Sequence, residues 1–399
     1  MPRPAARVLV YVQHLLGTGH LRRAAVLARE TAALGLEVTL VSGGAPEADL
    51  DVAPARLVQL PPVRALDESF AVLVDEAGTP IDDAWRERRR RLLLEAWRRA
   101  APDVLVIELF PFGRRKMRFE LLPLLEAAAA AAPRPAVVCS VRDILVAKRS
   151  PARFAETADL VERYFDLVLV HGDPRLVAFG RTFPPADRIA DRLRYTGYVA
   201  DRRRAPAAEA AAERERAGVV VSAGGGPVGE ALLGAALAAR PLTRLADRPW
   251  RFLVARTIAE PVFARLREAA PPGVLIERAR PDFPRLLAAA ELSISQAGYN
   301  TVVDLLQAET RAVLVPFAAG GESEQTLRAR LLAERGLVGV VEEPALGPAA
   351  LAEAVEAALR RPPPARDALD LSGGETAARL IAALARNGTG GAAAREAAS

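Results

Sequence analysis

The sequence predicts an α/β protein built from two doubly wound, parallel-sheet domains, and three observations predict it. Short continuous apolar runs alternate with helical patterns along almost the whole chain, as they do where crossover helices bury both faces of a sheet. The strand-first pattern starts twice, at residue 7 and again at residue 218, and each start leads through a glycine-rich turn into a helix. The chain has 399 residues, more than one hydrophobic core usually organises. The expected boundaries are an N-terminal domain over 1–200, a linker over 201–216, a C-terminal domain over 217–386 and a disordered tail over 387–399.

The first strand, 7–13, is continuously apolar and runs into His14 and the turn Gly17-Thr18-Gly19-His20. A helix follows and stops at Gly35, and residues 37–41 form the second strand. This opening lacks the dinucleotide fingerprint: Arg22 stands where its third glycine belongs and no acidic residue closes the second strand, which disfavours a nicotinamide site. Residues 57–60 read as a strand and 61–80 as an insertion. The helix over 81–100 carries Arg86, Arg88, Arg89, Arg90 and Arg91, a run expected to be mostly a solvated face.

Residues 103–109 form the next strand, which ends at the loop Phe110-Pro111-Phe112-Gly113-Arg114-Arg115-Lys116. Basic residues beside aromatics there suit an anionic acceptor or a lipid phosphate, and equally a plain surface loop; Glu108 is a candidate supporting carboxylate. Strands at 136–141 and 166–171 end in Arg142-Asp143 and His171-Gly172-Asp173, polar pairs at the sheet edge where ligands bind in doubly wound folds. Residues 192–195 complete the first sheet.

The second domain opens with a strand at 218–222 and the loop Gly224-Gly225-Gly226-Pro227-Val228-Gly229, whose amides suit a diphosphate. Further strands fall at 250–255, 273–277, 292–294, 311–316 and 339–341, with a short helix at 282–289 and helices at 348–360 and 375–386. Gly298 precedes a helix over 299–307 that places Asp304 one turn from Asn300, and Glu324-Gln325 open another. Helix starts attract anions, whereas a carboxylate suits sugar hydroxyls, so the pairing points to a nucleotide carrying a ribose or hexose. The plain alternative is that Gly298 only permits a turn and that Asp304 and Glu324 are solvated.

Composition narrows the function. Hydrophobic residues at 51% and charged residues at 26% describe an ordinary globular chain. The net charge of +5 comes from arginines scattered over several helices, which argues against a nucleic-acid stripe. The single cysteine, Cys139, fits a reducing compartment, and three histidines, at 14, 20 and 171, show no metal-ligand spacing. No apolar run reaches spanning length and no signal peptide is evident, so a cytoplasmic enzyme is expected. His20, directly after Gly17-Thr18-Gly19 and at a helix mouth, is a candidate general base; the competing reading is a helix cap or anion ligand.

Taken together, the Gly17 to His20 loop, the Thr196-Gly197-Tyr198 turn, the Gly224 to Gly229 loop, the stretch from Ser295-Gln296-Ala297-Gly298 to Asp304, and Pro316 with Glu324-Gln325 resemble the GT-B glycosyltransferases of family 28 type. That family includes the cell-wall enzyme acting on lipid-linked muramyl-peptide. The resemblance implies two Rossmann-like domains facing across a cleft, and inverting sugar transfer from a nucleotide-sugar, UDP-linked by expectation, to a hydroxyl acceptor. No cofactor and no bound metal are implied. His20 is then the catalytic base, with Gly17, Thr18, Gly19, Arg114, Arg115 and Lys116 on the acceptor side. Ser222, Gly224, Gly225, Gly226, Gln296, Gly298, Asn300, Thr301, Asp304, Glu324 and Gln325 form the donor side. The partners implied are the donor, an anionic or lipid-linked acceptor and a peripheral contact with the inner membrane face. Asp304 stands where many relatives have glutamate, and Glu324-Gln325 where the cell-wall enzyme has two glutamines, so the donor sugar is not assigned. A sugar-nucleotide epimerase or hydrolase on the same fold, and a non-catalytic sugar-nucleotide-binding protein, are the rival readings.

Overall fold

A computed structural model describes residues 5–66, 70–145, 150–204, 216–224, 229–318 and 323–387. The chain forms two compact units, one of Met1–Val199 with Ser372–Ser399 and the other of Ala200–Leu371.

In the first unit, apolar runs form the strands β1 (Arg7–Val12), β2 (Glu37–Ser42) and β3 (Arg56–Gln59). The insertion contributes a short antiparallel pair, β4 (Arg64–Ala65) and β5 (Leu73–Val74). Then come β6 (Val104–Glu108), β7 (Ala136–Arg142), β8 (Leu167–His171) and β9 (Leu193–Tyr195). Seven of these make one parallel sheet in the order β3-β2-β1-β6-β7-β8-β9, so the order reverses between β1 and β6. Ligands of doubly wound folds gather at the carboxyl ends of strands beside such a reversal.

Both sheet faces are covered, as the unbroken apolar strands require. On one face Leu9, Tyr11, Leu105 and Ile107 pack with Leu93 and Trp97 of the helix Asp83–Ala100, whose N-cap Asp82 accepts the Trp85 amide at 2.7 Å. On the other, Val8, Val10, Val106, Val138 and Leu169 pack under the helix Gly19–Ala33. The last helix, Gly373–Asn387, joins this second face through Ala377, Ile381 and Ala382, all buried. It therefore belongs to the first unit, which corrects the expected C-terminal domain limit of 386. Its apolar stripe was visible, but a stripe does not say which sheet it covers. Gly373 donates its amide to the Tyr198 carbonyl at 3.0 Å, and a Cβ there would lie 2.3 Å from the Gly197 carbonyl oxygen. Only glycine allows that approach.

The arginine run on the helix Asp83–Ala100 also needs a correction. Arg89 is fully buried, not solvated. Its Nε donates to Glu120 at 2.8 Å, its Nη1 to the carbonyls of Gly43 and Pro61 at 2.8 Å each, and its Nη2 to Gln13. Tyr11 also donates to Glu120. A buried cation is tolerated only with such complete pairing, and this one ties three loop or strand ends to two helices.

The second unit repeats the plan with β10 (Val219–Ser222), β11 (Trp250–Val254), β12 (Val274–Arg278), β13 (Leu292–Ser295), β14 (Arg311–Leu314) and β15 (Gly339–Val340). Its parallel sheet has the order β12-β11-β10-β13-β14-β15, with the reversal between β10 and β13. Trp250, Phe252, Val221 and Ile294 centre its core. Most of the expected linker and the tail after 387 lie outside the described residues, as do Gly225 and Gly226 of the donor loop.

Candidate functional site

Alternation along the strands of the first unit builds the site. On the face under the helix Gly19–Ala33, each strand is apolar until its last positions, where Val106 gives way to Glu108, Val138 to Ser140 and Arg142, and Leu169 to His171. Register places Glu108 beside Ser140 and Arg142 beside His171. The helix begins directly above, with Thr18 as an N-cap lacking any side-chain cap bond and no acidic residue in the first turn.

His20 Nδ1 lies 2.7 Å from Glu108 Oε1. The His20 side chain is 15% exposed and Glu108 only 1%, so the imidazole is reached from one side while its carboxylate is enclosed. Arg23, one helical turn on, also donates to Glu108 and is itself buried. Burial alone would raise the Glu108 pKa, but His20 and Arg23 together hold it below the usual carboxylate range. Burial pushes His20 down to about 3, Glu108 opposes this and Arg114 and Arg142 add to it. At neutral pH the ring is therefore neutral. An ionised Glu108 fixes the proton on Nδ1 and leaves Nε2 as an acceptor, the state a general base needs.

Of the basic loop, Arg114 alone lies with this group. Leu109 and Arg114 both take left-handed backbone, with φ of 67° and 55°, and the resulting turn brings Arg114 back over the strand end. Its Nε donates to the Gln13 carbonyl at 2.6 Å. Arg115 instead pairs with Glu156, and Lys116 donates to the Ala71 carbonyl. Gly17 is exposed, with open space around it.

In the second unit the residues expected on the donor side lie at the carboxyl ends of β10, β13 and β14. Gly224 takes a φ of +76°, a conformation that favours glycine although an added Cβ would only touch Gln296 Oε1 at 3.5 Å, and donates its amide to Ser222 Oγ at 3.3 Å. Gln296 in turn donates its amide to the Ser222 carbonyl at 3.2 Å. Gly298 caps the helix Tyr299–Gln307, which has no side-chain cap bond and no acid in its first turn. Asn300 and Thr301 sit in that turn and Asp304 one turn further, all half-buried. Gln325 Oε1 accepts the amides of Ala297 at 3.0 Å and Phe317 at 3.3 Å, so it braces the turn. Glu324 is buried and bonded to Arg328 at 2.8 Å.

Sequence reasoning did not find Arg23 or Arg328. Arg328 is fully buried, reaches the Ala297 carbonyl at 3.3 Å and lies 5.6 Å from the Tyr299 ring centre. The available signals were a three-residue step from His20 and a four-residue step from Glu324, the spacings at which helical side chains meet. Among the described residues no group of three or more histidine, cysteine or acidic side chains is arranged to hold a metal ion, and no helix is long and apolar enough to cross a membrane.

Residues 279–379 match the glycosyltransferase family 28 C-terminal domain. The matched stretch contains Gln296 to Asp304 and Glu324-Gln325. Two curated relatives are each a UDP-N-acetylglucosamine–N-acetylmuramyl-(pentapeptide) pyrophosphoryl-undecaprenol N-acetylglucosamine transferase. The one from Ralstonia nicotianae is 39% identical over 79 residues, 20% of this chain and 22% of that protein. The one from Opitutus terrae is 40% identical over 60 residues, 15% and 16% of the two chains. The chain thus aligns with about a fifth of the length of these relatives. Solved structures extend the likeness to nearly the whole chain. MurG of Acinetobacter baumannii gives a TM-score of 0.60 at 16% identity, covering 94% of this chain and 99% of that one. The calicheamicin glycosyltransferase CalG4 gives 0.58 at 18%, covering 98% and 97%. The fold is GT-B, with two Rossmann-like domains.

Proposed function

We propose that the chain transfers a sugar from a nucleotide-sugar donor to a hydroxyl acceptor with inversion at the anomeric carbon. The observation that carries this reading is the family 28 match, because it falls on the donor-side turn and helix of the second unit. A UDP-type donor is assigned there, with its diphosphate against the Gly224 loop and the uncapped start of the helix Tyr299–Gln307. Amides at a helix start favour the negative charge that grows on a departing diphosphate. Asp304 would accept hydroxyl protons of the ribose.

The base is assigned to His20. Its Nε2 takes the acceptor hydroxyl proton, the oxygen bonds to the anomeric carbon, and the bond to the diphosphate breaks with its electron pair going to the nucleoside diphosphate. Glu108 keeps the imidazole in the required tautomer and stabilises the cation it becomes. The names of the relatives, with a pyrophosphoryl-linked acceptor and a UDP-sugar donor, fit this assignment of substrates by class. A contact with the inner membrane face and a cytoplasmic location go with such an acceptor.

The test is calorimetric binding of UDP together with UDP release from a panel of UDP- and dTDP-sugars, with and without a chelator. UDP binding, little release without acceptor and indifference to the chelator are expected. Rapid acceptor-free release would mean a hydrolase, and no nucleotide binding would overturn the donor assignment.

A further inference from the structure

The first unit buries a histidine that the assigned chemistry does not use. His171, the last residue of β8, is fully enclosed, and both of its ring nitrogens are bonded: Nε2 lies 2.7 Å from Ser140 Oγ and Nδ1 lies 2.9 Å from Thr196 Oγ1. Burial keeps the ring neutral, with Arg23 adding to this effect and Glu108 opposing it. A neutral imidazole carries one proton, so one of the two hydroxyls accepts from it and the other donates to it.

The turn after β9 decides which. Thr196 Oγ1 also lies 2.9 Å from the Gly197 carbonyl oxygen, and Gly197 is buried with no other donor to that oxygen among the described residues. A carbonyl can only accept, and a buried one without a donor is costly, so Thr196 gives it its single proton. The Val170 carbonyl, at 3.5 Å, already takes the amides of Gly172 and Thr196, and donation to it would leave the same tautomer. Thr196 Oγ1 therefore accepts from His171 Nδ1–H, and His171 Nε2 accepts from Ser140. The one hydroxyl proton of Ser140 is thereby committed.

Ser140 is the ladder partner of Glu108, side by side with it on β7 and β6 at the usual strand spacing of about 4.8 Å. Glu108 uses one oxygen, Oε1, for His20 at 2.7 Å and for Arg23. Its other oxygen, Oε2, is buried, and no protein group among the described residues donates to it. A hydrogen bond to a carboxylate stabilises its charge and weakens its hold on other partners. The hydroxyl one strand away is turned from Glu108 towards His171.

We propose that His171 and Thr196 are positioning residues for the base: in its Nδ1–H form His171 holds the Ser140 proton away from Glu108, which leaves the carboxylate's charge to His20 and Arg23. The inference rests on the reading of His20 as the base and adds three buried residues to those that set its strength. With His171 in the opposite, Nε2–H form, Ser140 would accept from the ring and its own proton would turn to Glu108. His20 would then be held less firmly and would be the weaker base.

Histidine NMR on the whole chain at neutral pH tests this, because the ring nitrogens of the two tautomers resonate apart. The chain has three histidines, so loss of signals in His14→Gln and in His20→Gln leaves those of His171. The unaltered protein should show His171 as Nδ1–H and a His20 Hδ1 signal far downfield, as for an N–H held by a carboxylate. Thr196→Val removes the acceptor of His171 Nδ1–H at nearly constant shape. It should switch His171 to Nε2–H and move the His20 Hδ1 signal upfield. Ser140→Ala alone should leave the His20 signal in place, and added to Thr196→Val it should return that signal to its original position. A merely structural effect of Thr196→Val is not cancelled by a second truncation. An Nε2–H His171 in the unaltered protein, or a His20 signal equally displaced in the single and double variants, would overturn the proposal. Unchanged amide signals of β1 and β2 show that the first unit is folded, and the tautomer of the unaltered protein decides alone if a variant does not fold. None of these readouts uses turnover, so failure here is distinguishable from failure of His20 as the base, which the turnover of His20→Ala reads.

Discussion

At the scale of single residues, the base role proposed for His20 separates chemistry from binding. His20→Ala should lower kcat by roughly a hundred- to ten-thousandfold, the usual worth of a positioned base, while the UDP Kd stays within about twofold. Equal losses in both would assign His20 to binding. The depressed histidines also set a pH dependence of stability. An unfolded imidazole takes up a proton near pH 6.5, whereas folded His20 and His171 resist it down to about 3. The unfolded chain therefore binds more protons between these limits, so stability is full above about pH 6.5 and falls as pH drops towards 3. Thermal melts across this range should show the loss in the histidine signals, all from the first unit, while Trp250 in the second unit reports a smaller change. His20 was legible in the sequence because it follows a two-glycine loop at a strand-to-helix turn. Arg23 was not, since an arginine in an alanine-rich helix looks solvated until Glu108 is known to lie beneath it.

At the scale of elements, two helices show how far periodicity carries. The helix Asp83–Ala100 was expected within two residues of its observed start, yet the burial of Arg89 was missed because its partners come from Gly43, Pro61 and Glu120, distant in sequence. Arg89→Met leaves Glu120 buried beside Tyr11 and Gln13 without its cation. It should cost roughly 3–5 kcal/mol in denaturant unfolding of the first unit, the range for removal of one partner of a buried pair. A loss within experimental error would mean that the loop carbonyls and Glu120 find water instead. The helix Gly373–Asn387 was also anticipated, and again only its partner was hidden. Deleting residues 372–399 strips Ala377, Ile381 and Ala382 from the face shared with the helix Gly19–Ala33. Amide exchange should then become fast throughout the first sheet while β10 to β14 stay protected.

At the scale of the whole molecule, alternating apolar runs were enough to read two parallel sheets, because strands covered on both sides have no polar face to confuse the pattern. The glycine turns marked where each sheet reverses its order. The excised unit over 200–371 contains every described donor-side residue and its own core, so it should bind UDP with an affinity within about tenfold of the full chain; absence of binding would show that the first unit contributes to the nucleotide site. The chain leaves the first unit at Val199 and returns to it at Ser372, and these two residues pair in an antiparallel bridge. During synthesis, then, the later-starting unit is the first to have all of its sequence available. The earlier one must wait, with the sheet face around Val8, Val106 and Val138 short of a cover, until the helix ending at Asn387 has left the ribosome. The order of completion is thus the reverse of the order of translation, and that half-covered valine face, with only the helix Gly19–Ala33 over it, is where a chaperone would find the nascent chain.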